Sequence, residues 1–160
     1  MGEFRKARAT DANAIAGLYK VLVPNAPINV LPERIAEITR DKNTYLVVYD
    51  ADDTIIATAL VILCNDVMFT RQPFALVENV IVSRDHQRKG IGKGLMEHIE
   101  TFCLNADCSK IMLLGNSTNQ KAYDFYTAMG YDPTAKYGFI KKRRHFKPQE
   151  KTSCDLPVQE

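Results

Sequence analysis

Between residues 75 and 114 the chain reads as strand, glycine turn, helix and strand, and two strands joined by a crossover helix lie side by side in parallel. Residues 75–82 (ALVENVIV) are apolar and β-branched, interrupted only by Glu78 and Asn79. Ile91, Leu95, Ile99, Phe102, Cys103 and Ala106 then recur at the spacing of one helix face. Residues 110–114 (KIMLL) form a short apolar run bounded by Gly115, Asn116 and Ser117. The turn that opens the helix, 87–94, reads QRKGIGKG. Such a turn bares backbone N–H groups at the positive end of the helix dipole and attracts a phosphate or pyrophosphate. Glycine lets the ligand approach the backbone, because no Cβ stands in the way. A phosphorylated cofactor is therefore expected.

The placing of the glycines narrows the choice. A P-loop needs glycine at 87 and Ser or Thr at 94, where the chain has Gln87 and Gly94. The dinucleotide fingerprint needs its third glycine at the position of Leu95. What fits is Gln/Arg-x-x-Gly-x-Gly/Ala, met by Gln87, Gly90 and Gly92. In this the segment resembles the coenzyme A pyrophosphate motif of the GNAT superfamily of N-acetyltransferases. A second segment adds weight. The family pattern Asn-x-x-Ala-x-x-Phe/Leu-Tyr-x-x-x-Gly-Phe/Tyr is met in full by Asn119, Ala122, Phe125, Tyr126, Gly130 and Tyr131. Ordinary residue frequencies make a joint match of that kind an event on the order of one in a million per window.

The resemblance implies an α+β fold with a central mixed sheet flanked by helices, in which two parallel strands splay apart and acetyl-CoA enters the cleft. Carried over by position, Val80, Ile81 and Val82 would pair with the pantetheine arm. Gln87, Arg88, Lys89, Gly90, Ile91, Gly92 and Lys93 would hold the pyrophosphate, mostly through backbone N–H groups. Asn119 would meet the pantetheine or phosphate arm, and Tyr126 would lie near the thioester sulfur.

The chemistry asks for such groups. A lysine-like amine has a pKa near 10.4, so freeing its lone pair at pH 7 costs about 4.6 kcal/mol. Glu78, a carboxylate in an apolar strand beside the expected cleft, is the candidate base, directly or through a water. The departing thiolate needs a proton or a hydrogen bond, which the Tyr126 hydroxyl could supply. Backbone N–H groups of 80–82 could stabilise the tetrahedral oxyanion. Neither motif pairs a cysteine with a histidine, which favours direct transfer in a ternary complex over an acyl-enzyme. Each residue also has a plainer role available: Glu78 as a structural carboxylate, Tyr126 as a core tyrosine beside Ala122 and Met129, Asn119 as a helix cap. The functional alternative to an active N-acetyltransferase is a catalytically silent acyl-CoA-binding module.

Other features bound the reading. A chain of 160 residues is one domain that buries roughly two-thirds of its unfolded surface. We expect the domain at 1–146 and a flexible polar tail at 147–160. The net charge of +2 makes no case for nucleic acid or membrane, and no apolar run approaches the ~20 residues of a membrane span. The charged N-terminus has no signal-like apolar stretch, so cytoplasmic residence is the expectation. Cys64, Cys103, Cys108 and Cys154 form no metal-binding pattern, and Cys64 and Cys103 read as small buried hydrophobes. No metal is expected. The acceptor would be a small-molecule or protein amine, and a homodimer stays open. Elements are expected in the order βααββ-β-α-β-α-β-β, with Thr10 or Asp11 capping the first helix and two last strands near 131–134 and 137–144. His86 should face solvent, and the run from Lys141 to His145 should be a charged strand edge. Residues 24–31, 65–73 and 132–138, which would flank the acceptor, carry no dense acidic cluster.

Overall fold

The computed structural model describes residues 2–147. In chain order it holds β1 (Glu3–Lys6), α1 (Ala12–Leu22), α2 (Pro32–Arg40), β2 (Thr44–Ala51), β3 (Thr54–Cys64), β4 (Phe74–Val82), α3 (Ile91–Asn105), β5 (Ile111–Leu113) and α4 (Gln120–Ala128). The strands form one sheet in sequence order. The first three pairings are antiparallel, and β4 with β5 is parallel, as the crossover demands. This is a mixed five-stranded sheet flanked by helices.

Alternation along the strands explains the layers. Leu46 and Val48 of β2 point to one face and join Ala12 and Ile15 of α1 and Ile35 of α2. Val47 points to the other and joins Ala59 and Val61 of β3, Val77 of β4, and Leu95, Met96 and Ile99 of α3. The β2–β3 hairpin closes through Asp52 and Asp53, both with positive φ (51° and 65°), the pair of left-handed residues that suits the twist of such a turn. Pro32 takes the first position of α2, where its missing N–H is no loss.

Three expectations change. Asp11 precedes α1 without capping it. Its carboxylate instead accepts from the Arg8 N–H (2.7 Å) and from both ends of the Arg5 guanidinium (2.8 and 3.1 Å). The chain beyond α4 forms no strand at 131–134 or 137–144. It runs irregularly to a single 3₁₀ turn at Arg143–His145. Proline at 133 and glycine at 138 interrupt any ladder, and β5 offers an edge only three residues long. Lys141 to His145 are exposed as expected, but not as a strand edge. Finally, Cys103 is buried whereas Cys64 is only half-buried. The expected tail lies outside the described residues from 148 onward.

Candidate active site

The site begins where β4 parts from β5. Pairing with β5 covers only Ala75, Leu76 and Val77 of β4. From Glu78 to Val82 that side of β4 has no strand beside it among the described residues. The other side of β4 is irregular at the same point. Thr58 and Leu60 of β3 pair with Ile81 and Glu78, so the lone Ala59 faces two residues, Asn79 and Val80. That is a β-bulge. Asn79 takes φ +54°, a left-handed conformation in which asparagine is among the few tolerated side chains. The extra residue shifts the alternation. Val77 packs against α3, and after the bulge Val80 and Val82 do so instead of Asn79 and Ile81.

Glu78 is the first residue of β4 beyond the parallel pairing. It is half-buried, and among the described residues its carboxylate makes no side-chain hydrogen bond or ion pair. The structural-carboxylate role finds no partner here.

Beyond Val82, a short 3₁₀ turn (Arg84–His86) leads into the glycine turn. His86 is half-buried rather than fully solvated, its Nδ1 3.2 Å from the Ser83 hydroxyl. Arg88 and Gly90 both adopt positive φ (60° and 82°), and Gly90 is the residue immediately before α3. The first helical bond runs from the Gly94 N–H to the Gly90 carbonyl (2.9 Å). The N–H groups of Ile91, Gly92 and Lys93 stand ahead of it with no carbonyl of the helix to bond, and no side chain caps them. Gln87 behaves differently from its neighbours. Its N–H bonds the Arg84 carbonyl (3.4 Å), and its side-chain amide donates to the Val82 carbonyl (3.0 Å), tying the turn to the end of β4. The side chains of Arg88 and Lys89 are exposed.

A third element closes on this turn. A Cβ at position 92 would lie 3.5 Å from Phe125 Cζ of α4 and 3.7 Å from Val82 Cγ2 of β4. The start of α3, the end of β4 and α4 thus meet at Gly92. Tyr126 follows, its ring 5.1 Å from that of Phe125 and 6.0 Å from that of Tyr131. Burial raises the Tyr126 phenol above its ordinary value of 10, so it is a neutral hydroxyl, a donor rather than a phenolate. Asn119 caps α4, its side chain accepting from the Ala122 N–H (3.1 Å), and Gly130 (φ 89°) ends the helix region as a left-handed residue.

The glycine turn, β4 and Phe125 are thereby brought together, with Tyr126 the next residue along α4 and Asn119 about two turns before it. A cavity of about 1200 Å³ lies elsewhere. It lies along the outer edge of β5 between that strand, α4 and the chain after it, with Leu113, Tyr123, Tyr126 and Tyr137 among its walls. Tyr126 borders it, but no residue from 78 to 93 does. No group of three or more His, Cys, Asp or Glu side chains placed to hold a metal occurs among the described residues. Sequence reasoning missed Asn79 as a bulge. The signal was present in asparagine, a poor strand former, at the centre of an apolar β run.

Residues 15–131 match the model of the acetyltransferase (GNAT) family, well over half of the chain. The chain belongs to that family. It is 33% identical over 72 residues to the uncharacterized protein YdhI of Bacillus subtilis (strain 168), a stretch that spans 43% of this chain and 45% of that one. The fold is shared with a putative acetyltransferase from Agrobacterium tumefaciens str. C58 (TM-score 0.80, 22% identity, 88% of this chain and 99% of that one). It is shared too with glucosamine-6-phosphate N-acetyltransferase from Arabidopsis thaliana (TM-score 0.74, 21% identity, 89% and 97%). The aminoglycoside N-acetyltransferase AAC(6')-Iy, solved in complex with CoA, is similar to the same degree (TM-score 0.75, 21% identity, 89% and 95%).

Proposed function

We propose that this chain moves the acetyl group of acetyl-CoA to a primary amine by direct transfer in a ternary complex. The observation that carries the reading is the coincidence at β4. The strand loses its parallel partner at the residue after Val77, presents an unpaired carboxylate there, and runs on into a left-handed glycine turn with three open N–H donors. Cleft, base and anion cradle are three consequences of one stretch of backbone.

In this reading Val80, Ile81 and Val82 present backbone groups to the pantetheine amides, the Val82 carbonyl sharing its capacity with Gln87. Ile91, Gly92 and Lys93 donate N–H groups to the pyrophosphate, with the helix dipole behind them. Arg88 and Lys89 add positive charge at the mouth, and Gly90 holds the turn open. Glu78 accepts the proton of the ammonium, directly or through one water, and releases a nucleophilic amine. Backbone N–H groups of β4 meet the developing oxyanion. Tyr126 donates to the departing thiolate sulfur, a role its neutral hydroxyl suits. Asn119 fixes the start of α4 and hence Tyr126.

Two of the fold relatives carry amino-sugar acceptors in their names, which makes amino sugars and their phosphates the first class to try here. Other small-molecule amines and protein amines follow. The test is a calorimetric titration with acetyl-CoA, with free CoA and ATP as comparators, followed by turnover against an amine panel led by amino sugars. Micromolar binding of acetyl-CoA, little response to ATP, and turnover that falls about 100-fold in both Glu78→Gln and Tyr126→Phe support the proposal. No binding by a folded sample overturns it. Binding with no turnover of any amine points instead to a silent acyl-CoA-binding module.

A further inference from the structure

A cavity of about 450 Å³ lies between α1, the start of β3 and the 3₁₀ turn that follows β4. Small-molecule sites span about 300–1,000 Å³. Leu18, Val21, Ile55 and Ile56 give this one apolar walls, and no residue of the glycine turn or of α3 borders it. Gly17 opens onto the same cavity from the middle of α1. Glycine is the poorest helix former after proline. Nothing in the fold requires it at this position, because its φ is not in the left-handed region and a Cβ built on it meets no atom within 4 Å. What the missing side chain does is keep the cavity open.

The polar rim of the cavity is the turn Ser83, Arg84, Asp85 and His86. Ser83 and His86 are occupied with each other, Oγ lying 3.2 Å from Nδ1. Arg84 and Asp85 are adjacent, exposed and opposite in charge, and neither side chain has an ion pair or hydrogen bond among the described residues. An α-amino acid carries the complementary charges, carboxylate and ammonium, on one carbon. We infer that this cavity binds a free α-amino acid with a large apolar side chain, its carboxylate on Arg84, its ammonium on Asp85 and its side chain across Gly17 against the apolar walls. The ligand is not the acceptor. Ser83 stands five residues beyond Glu78 along the chain, roughly 15 Å at strand spacing, so the ammonium is out of reach of the proposed base. The turn it grips leads straight into the glycine turn, where the Gln87 N–H bonds the Arg84 carbonyl (3.4 Å). A bound amino acid therefore also orders the approach to the N-terminus of α3.

L-Leucine and L-phenylalanine are titrated calorimetrically into the full chain, beside 3-phenylpropionate, 2-phenylethylamine and L-glutamate. At least one of the two amino acids should bind one-to-one with a Kd below about 1 mM. The two phenyl compounds each lack one of the charges, and they and glutamate should bind at least tenfold more weakly. Gly17→Leu separates site from fold. It improves the helix and meets no neighbour, so Tm should hold or rise by about 2–4 °C while amino-acid binding is lost. Arg84→Ala should weaken binding at least tenfold. In the wild type, amide exchange at residues 84–90 should slow about threefold or more when the amino acid is bound. No binding of either amino acid at about 10 mM by the folded wild type overturns the site, as does binding that Gly17→Leu or Arg84→Ala leaves unchanged. Unchanged exchange at 84–90 overturns the ordering of the turn. Neither measurement uses acetyl-CoA, so failure of the acetyl-transfer reading would show separately.

Discussion

Gly90 offers the sharpest separation of stability from binding. Its φ is +82°, and a Cβ built there meets nothing within 4 Å, so the penalty of Gly90→Ala is conformational, with no clash. Placing an L-residue in the left-handed region costs about 1–2 kcal/mol. The stiffer unfolded chain returns roughly 0.4–1 kcal/mol, leaving a net loss of about 1 kcal/mol, which is a fall of roughly 2–4 °C in Tm for a chain of this size. Binding should suffer more if the N–H groups of Ile91, Gly92 and Lys93 hold a pyrophosphate. A turn that relaxes away from positive φ swings those donors, and losing one charge-assisted hydrogen bond costs about 1.5–3 kcal/mol. That is roughly a 10- to 150-fold rise in Kd for acetyl-CoA. Gly90→Asn is the control, since asparagine accepts the left-handed region and is a favoured residue ahead of a helix. It should bind within a few-fold of wild type. Thermal melts and calorimetric titrations of both variants measure the two effects. If Gly90→Ala melts lower as expected but binds acetyl-CoA as tightly as wild type, the turn is a connection and not a cradle.

The remaining predictions concern charge, proton donation and core. Burial opposes the charge on Asp11, but hydrogen bonds from Arg5 and the Arg8 N–H outweigh it and hold the carboxyl below its ordinary value of 3.8. A depressed carboxyl stabilises the fold above that value and loses the effect as pH falls through the folded pKa, so the Tm gap between wild type and Asp11→Asn should be constant above about pH 5 and close below 3.8. A gap that widens on acidification would refute the assignment. Because burial raises Tyr126 above 10, an alkaline limb in kcat due to this residue should fall above pH 10 and be absent from Tyr126→Phe. A limb centred near pH 8 that vanishes in that variant would contradict it. Ile99 is wholly buried between α3 and the sheet, so Ile99→Ala should lose about 2–5 kcal/mol in urea unfolding. A loss under 1 kcal/mol would mean that α3 is not part of the main core.

Where local pattern and long-range pairing agree, the sequence is readable. The run 75–82, the glycine turn and the helical period after it identify β4, α3 and their crossover, because each needs only near neighbours to be satisfied. The expected strands beyond α4 fail for the complementary reason. A strand requires a partner, and partner availability depends on β5, whose paired length of three residues is set by packing and not by residues 131–144. Asp11 shows the same limit at short range. Its type and position suit a cap, yet Arg5 on β1 and the Arg8 N–H compete successfully for its carboxylate. The bulge was half-legible: the asparagine is visible in the sequence, whereas the register slip opposite Ala59 exists only in the sheet.

Glu78 and Asn79 interrupt the apolar strand together, and the fold gives their adjacency a physical reason. A carboxylate on a strand packed between helices has to find a partner or an opening. The parting of β4 from β5 supplies the opening at Val77, and the bulge one residue later keeps Val80 and Val82 against α3 although the strand has gained a residue. If β4 continued in regular alternation, Asn79 and Ile81 would occupy the α3 face, and Val82 would turn away from Gly92 and Phe125. The strand could then keep its apolar packing or its contact with the glycine turn, but not both. The extra residue at 79–80 reconciles them, which is why the bulge, rather than either motif alone, links the proposed base to the proposed anion cradle.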